Sequence, residues 1–194
     1  MLRDKLKHKN IILASGSPRR QQFFKDLGID FEIKLKEIDE VYPEHLKAEE
    51  ITDYLAVLKA NAFEGELQEN EILVTSDTIV WHQNKALGKP KNAEDAFEMI
   101  KSMSNATHEV ITSVCFKTNT ASTLLHDITK VTFKDLSDES ILYYIENYKP
   151  YDKAGAYGIQ EWFGFMAVAK VEGSYTNVMG LPTAKVYDYL STLV

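Results

Sequence analysis

Three apolar residues, Ile11, Ile12 and Leu13, run through Ala14-Ser15-Gly16 into Ser17-Pro18, and this junction restricts the fold more than any other stretch. The triplet reads as a short buried strand, Ser17 as a helix N-cap and Pro18 as the first helical residue. A strand at 11–14, a tight turn and a helix over 18–27 stopped by Gly28 are therefore predicted. Arg19 and Arg20 then fall on the first turn of that helix. A helix start carries roughly half a positive charge, so each arginine there loses about 0.3–1 kcal/mol where an acid would gain it. Two cations make sense at such a place if several negative charges dock on it. The first backbone N–H groups lack helical partners, Ser15 and Ser17 supply hydroxyls, and a guanidinium binds phosphate through two parallel hydrogen bonds. The alternative is that both arginines splay into solvent and Ser17 merely caps. Neither GxxxxGK[ST] nor GxGxxG is present, so this is not a Walker loop or a dinucleotide turn.

The rest of the chain alternates strand and helix signals. A strand is expected near 31–34 and a helix at 48–63, with Ile51, Leu55, Leu58 and Ala62 on one stripe. Ile72–Thr75 reads as a short buried strand, and Ile79–His82 with Lys85–Leu87 as a hairpin. A helix at 93–103 turns Ala96, Met99, Ile100 and Met103 inward. Strands at 109–117 and 123–133 pair, Ser137 caps a helix at 138–148, a strand follows at 165–171, and Pro182 opens a last helix. Interleaved elements of this kind define an α/β fold with a mixed central sheet and flanking helices. With no repeats, low-complexity tracts or linkers in 194 residues, a single domain over 1–194 is expected, long enough for one core or for two lobes sharing one.

Charge narrows the function. The net charge is −7 and no basic block is longer than Arg19–Arg20, which argues against tracking a nucleic-acid backbone but not against a small anion in a local basic pocket. No apolar run nears the roughly 20 residues that cross a bilayer. The charged start MLRDKLKHKN, running straight into the first strand, does not read as a signal peptide. Cys115, the only cysteine, lies in the apolar run VITSVCF and reads as a core residue. A cytoplasmic protein without membrane or nucleic-acid partners is the expectation.

Four further segments carry chemistry. In ILVTSDTIV, a polar Ser-Asp-Thr separates two apolar runs, placing Asp77 at the carboxyl end of a strand, where α/β sheets bind ligands. Asp77 suits a metal ligand or general base, or equally a turn-forming aspartate before Thr78. In LGKP, Lys89 projects from a turn set by Gly88 and Pro90, as a phosphate ligand or a plain surface lysine. Lys59 borders the Ile51–Leu55–Leu58 stripe and either reaches a cleft rim or snorkels into water. EIDE, ending at Glu40, is a solvated loop or the source of an oxygen ligand for Mg²⁺, which takes one or two carboxylates plus substrate phosphates. Gln160, in YDKAGAYGIQ, has the donor and acceptor that reading a nucleobase edge requires. Zinc spacings such as HxxxH and a GxSxG elbow are absent.

Taken in order, ASGSPRR, IDE, LAVLKA, SDTIV, LGKP, THEV, YDKAGAYGIQ and GSYTNVMGLP resemble the Maf family of nucleoside-triphosphate pyrophosphatases over about 180 residues. The resemblance implies two lobes around a deep cleft, similar in shape to the inosine-triphosphate pyrophosphatases. It also implies cleavage of a nucleoside triphosphate between the α and β phosphates, giving monophosphate and pyrophosphate with a divalent metal (Mg or Mn) in a house-cleaning role. Asp77 is implied as the catalytic acid/base, Ser15, Arg20, Lys59 and Lys89 as phosphate ligands, and Glu40 as lying near the metal. Arg19, Thr78 and Gln160 match the branch of the family acting on dTTP and UTP. A homodimer is common in the family. The chain departs from the usual pattern at Tyr54, where arginine is common, at Asn105-Ala106, where Gly-Arg is usual, and at Glu161, where glycine is frequent; none removes a proposed catalytic group. The rival expectation is a non-catalytic nucleotide-binding regulator of cell division.

Overall fold

The computed structural model describes residues 2–193. In chain order its helices are α1 (Leu2–Lys5), α2 (Pro18–Asp26), α3 (Glu49–Asn61), α4 (Ala93–Ser102), α5 (Asp138–Tyr148), α6 (Trp162–Ala167), α7 (Tyr175–Val178) and α8 (Thr183–Thr192). The strands are β1 (Asn10–Leu13), β2 (Glu32–Ile33), β3 (Glu71–His82), β4 (Lys85–Leu87), β5 (Thr107–Lys117), β6 (Ser122–Phe133) and β7 (Val168–Glu172). They form one mixed sheet in the order β2-β1-β3-β5-β6-β7, with β4 on β3. β1 is parallel to both β2 and β3, while β4 on β3 and β7 on β6 are antiparallel. The α/β class and the mixed sheet agree with the expectation. Among the described residues no helix is long and apolar enough to cross a membrane.

Contacts divide the chain into two compact units. The first comprises the chain through Asp77, Thr112–Asp127 and the chain from Gly180 onward. Its core has Ile11, Leu13, Phe24, Ile72, Val74, Val114 and Val186 on one side. A smaller cluster gathers Ile12, Ala56, Ala60, Leu73 and Cys115. Successive strand residues go to opposite faces, so Ile11/Leu13 and Ile12 join different clusters and both faces of the strand are buried. Cys115 is a core residue as expected, and burial pushes its thiol up.

Local signals at the ends of α2 hold. Ser17 Oγ accepts the Arg20 N–H at 3.5 Å, Pro18 opens the helix, and Gly28 takes a positive φ just past its end. The start of the chain differs from expectation: before β1 lie α1 and a 3₁₀ turn, Leu6–His8. Leu2 and Leu6, four residues apart and so on one helical face, both reach the core. The inward stripe of α3 is also rotated. Ile51, Thr52, Leu55, Ala56 and Ala60 are buried, whereas Leu58 and Ala62 are only partly so. Thr52 can be buried because its hydroxyl donates to Glu49 O (3.1 Å) and bonds Ser113 Oγ (2.7 Å).

The second unit comprises Thr78–Ile111 and Ile128–Met179. Val80, Ile100, Val131, Phe133, Ile141, Tyr144 and Phe163 are central to its core. The strand expected over 165–171 is instead the end of α6 followed by β7. Gly164 is seated against the backbone of Ile159, which favours a helical turn where the apolar pattern alone reads as strand. Within this core His108 is buried, shares a 2.8 Å hydrogen bond with Tyr157 Oη through Nε2, and lies 4.7 Å from the Phe133 ring. Burial, with a smaller contribution from His82, pushes its imidazole down to about 3. Because the folded value lies below the unfolded one, the unfolded chain binds the extra proton first as pH falls. Stability from this group is complete above the ordinary histidine range and is lost as pH drops towards about 3. Urea titrations of the wild type and His108→Gln should therefore diverge, the wild type losing about 2 kcal/mol more between pH 7 and pH 5. Parallel losses would show that His108 is not held neutral.

Candidate active site

The turn after β1 is organised around Ser15. Its buried hydroxyl accepts the Ser17 N–H at 3.3 Å and an Arg20 Nη1 hydrogen at 3.4 Å, while its carbonyl accepts from Gln21 Nε2 at 3.2 Å. Arg20 then reaches beyond its own helix: Nε donates to Gly180 O at 2.8 Å and Nη1 to Ser76 O at 2.9 Å. One guanidinium thus ties the start of α2 to β3 and to the segment leading into α8. Burial pulls Arg20 below its ordinary value and Arg19 adds to the effect, while Asp77 and Glu40 oppose it. A partly buried cation pulls harder on an arriving anion than a surface one would. Arg19 itself is half-buried.

Asp77 does not end a strand. Its expected place at a carboxyl terminus is corrected, because β3 continues without a break from Glu71 to His82. At the polar residues that looked like an interruption, the Thr75 hydroxyl, the Ser76 carbonyl and the Asp77 carboxylate each find a partner from another element, while the buried Ser76 hydroxyl has none among the described residues. Thr75 Oγ1 donates to Ala56 O at 2.7 Å, Ser76 O takes the Arg20 bond, and Asp77 Oδ1 accepts from Lys59 Nζ at 2.7 Å. Lys59, from α3, also pairs with Glu40 Oε1 at 3.0 Å. The Lys59 side chain is 15% exposed, that of Asp77 9% and that of Glu40 54%, so a mostly buried acid and an exposed loop acid share one cation.

Two carboxylates converging on a single positive centre are the donor set a divalent ion of the Mg²⁺ type uses together with substrate phosphates. Among the described residues no group of three or more His, Cys, Asp and Glu could hold a metal. Asp77 and Glu40 are two carboxylates now paired with Lys59, so a metal held by them would need further oxygen ligands, such as those of a phosphate.

The remaining candidates belong to the second unit. Thr78 is half-buried on β3, and Lys89 is exposed after Gly88. The Gly88 carbonyl accepts the Gly155 N–H at 3.0 Å, which joins the Lys89 turn to the segment leading to the half-buried Gln160. Ser15, Ser17 and Arg20 join through one set of bonds and Lys59, Glu40 and Asp77 through another, all in the first unit. Thr78, Lys89 and Gln160 lie in the second.

Sequence reasoning missed several supports. Gln21 and the Gly180 carbonyl act at the first-unit site; the second had a trace in the GSYTNVMGLP segment, the first none. Around Gln160 it missed Lys153, which is buried and pairs with Asp152 at 2.7 Å and Glu161 at 3.1 Å, and Tyr144, whose hydroxyl bonds Glu161.

This α/β fold, with its serine-arginine turn and shared-lysine carboxylate pair, is the setting for the comparisons. Residues 10–193 match the Maf-like protein family, and the chain belongs to it. A Flavobacterium johnsoniae protein named dTTP/UTP pyrophosphatase is 87% identical over 194 residues, the whole of both chains. A Flavobacterium psychrophilum protein of the same name is 64% identical over 190 residues, 98% of this chain and 97% of that one. Among solved structures, the Staphylococcus aureus Ham1 protein is similar in fold with a TM-score of 0.55 at 13% identity, covering 96% of this chain and 100% of its own.

Proposed function

We propose that this chain is a nucleoside-triphosphate pyrophosphatase that hydrolyses dTTP and UTP to the monophosphate and pyrophosphate with a divalent cation. The observation that carries the reading is Lys59 holding Asp77 and Glu40 together next to the strand residue that Arg20 grips. A mere anion binder has no use for two acids beside its cations. The choice of pyrimidine triphosphates is supported by the relatives' names and by Arg19, Thr78 and Gln160.

In phosphoryl transfer the protein mainly aligns groups and neutralises charge. Asp77 and Glu40 would hold the cation, which when bound supplies charge neutralisation at the phosphoryl oxygens. Asp77 would also take the proton of the attacking water, its nearly buried carboxylate being positioned by Lys59. Arg20 acts as a preorganised positive charge. Its bonds to Gly180, Ser76 and Ser15 hold the guanidinium still, so no reorganisation is needed as negative charge builds up. Lys59 and Lys89 supply the other cations for the triphosphate, and the Ser15–Ser17 turn its hydroxyls and amides. Arg19, Thr78 and Gln160 select the base.

Purified protein given dTTP or UTP with Mg²⁺ or Mn²⁺ should release pyrophosphate and the monophosphate, with activity abolished by a chelator and restored by either metal. Orthophosphate as first product would mean a γ-phosphatase. Tight nucleotide binding with no product would instead favour a non-catalytic regulator.

A further inference from the structure

The segment carrying Gln160 is closed by the side chain of Glu161. Glu161 N–H donates to Gly158 O at 3.2 Å, making a four-residue turn with Gln160 in its third position. The Glu161 carboxylate folds back over that turn. Oε2 accepts from Tyr144 Oη at 2.5 Å and Oε1 pairs with Lys153 Nζ at 3.1 Å. Tyr144 Oη in turn accepts the Gly158 N–H at 3.0 Å, so turn, tyrosine and carboxylate form a closed ring of bonds. The fit is tight: a Cβ placed on Gly158 would lie 2.7 Å from Glu161 Cδ and 2.8 Å from Oε2. Tyr144 is fully buried on α5, and Lys153 is buried with Asp152 as its second acid. Burial, reinforced by Glu161, raises the Tyr144 phenol far above its ordinary value, so it remains a donor to the carboxylate.

We propose that Glu161 is a specificity-determining positioning residue: by bracing the Gly158–Glu161 turn against Tyr144 and Lys153, it fixes the Gln160 amide for pyrimidine selection. The proposal rests on the reading that Gln160 contacts the base. Glycine at position 161 would make none of the carboxylate contacts, leaving the turn held by its backbone bond alone. A base reader discriminates only if its donor and acceptor keep one orientation, since a loose amide can turn to suit a purine as well.

The test compares kcat/KM for dTTP, UTP and dGTP, together with thermal midpoints, in four variants. Gln160→Ala is the reference and should lower the pyrimidine preference. Glu161→Gly should lower it by at least about ten-fold, a scale reached when a reacting or reading group is displaced from a distance, and should raise KM for dTTP more than it lowers kcat. Tyr144→Phe, which keeps the ring and breaks both hydroxyl bonds, should act in the same direction. Glu161→Gln, which can still accept from Tyr144, should recover most of the preference. Combining Gln160→Ala with Glu161→Gly should add nothing beyond Gln160→Ala, because one acts through the other. Should Glu161→Gly fail to fold, Tyr144→Phe and Glu161→Gln decide. A preference retained in Tyr144→Phe or Glu161→Gly while Gln160→Ala loses it overturns the positioning role and leaves the base-reading intact. A preference retained in Gln160→Ala removes the base-reading itself, and the positioning role with it.

Discussion

Asp77→Asn should fold as the wild type does and turn over dTTP at least about 10²-fold more slowly, the usual scale for losing a placed acid–base group. Asparagine keeps the shape and still offers an oxygen to Lys59 Nζ, now 2.7 Å from Oδ1. Lys59 retains Glu40 at 3.0 Å as a charged partner, so the exchange does not leave its ammonium unpaired. What disappears is the negative charge at a nearly buried point of β3, and with it both the capacity to take a proton and half of the carboxylate pair. The two roles separate in one further measurement. If Asp77 serves as proton acceptor alone, the metal concentration giving half-maximal rate stays where it was. If it also holds the cation, that concentration rises in Asp77→Asn and rises likewise in Glu40→Gln. Undiminished turnover together with an unchanged metal requirement would take Asp77 out of the reaction.

What the sequence made legible was local. Ser17 before proline and Ser137 before Asp138 stated their helix starts outright, and both cap as expected, because a cap needs only residues within one turn. The strand-turn-helix at Ser15–Arg20 was legible for the same reason. The continuity of β3 was not. Thr75, Ser76 and Asp77 look like a break until Ala56, Arg20 and Lys59 meet the Thr75 hydroxyl, the Ser76 carbonyl and the Asp77 carboxylate from other elements, and spacing along the chain encodes none of those meetings. Burying a polar residue is costly only when it lacks a partner, so a polar triplet marks a strand end only if nothing distant pairs with it. The same limit applies at 165–167. GFMAVAKV carries an apolar pattern that suits a strand, yet its first residues are helical, with Gly164 seated on the Ile159 backbone, a contact the pattern does not encode. Arg20 shows a third form of the problem. Its oddity on a helix start was visible, but the carbonyls of Ser76 and Gly180 that justify it lie far away in sequence. The role of Glu161 was hidden too, since its partner Tyr144 is on another element and only the departure from glycine hinted at it.

Gly164→Ala should destabilise the protein by about 3 kcal/mol or more, at the upper end of what overpacking costs. A Cβ placed on Gly164 would lie 1.9 Å from Ile159 O, 2.4 Å from its carbonyl carbon and 2.7 Å from its Cα. All three are backbone atoms, so no rotamer change can relieve the overlap; either α6 lifts off or the Gly158–Glu161 turn shifts. Both moves are expensive. α6 carries Phe163 and Ala167, which are fully buried in the second core, and the turn is held by Tyr144 and Lys153. Gly88→Ala supplies the control, because a Cβ there meets nothing within 4 Å, and an alanine in open space should change stability by no more than about 0.5 kcal/mol. Urea midpoints for the two variants should differ widely. Whatever fraction of Gly164→Ala remains folded should also lose pyrimidine preference before it loses pyrophosphate release, since the strain falls on the residue preceding Gln160 while Asp77, Lys59 and Glu40 belong to the other unit. Equal midpoints in Gly164→Ala and Gly88→Ala would mean that the contact between α6 and Ile159 is looser than 1.9 Å implies, and the case for a rigid turn at Gln160 would weaken with it.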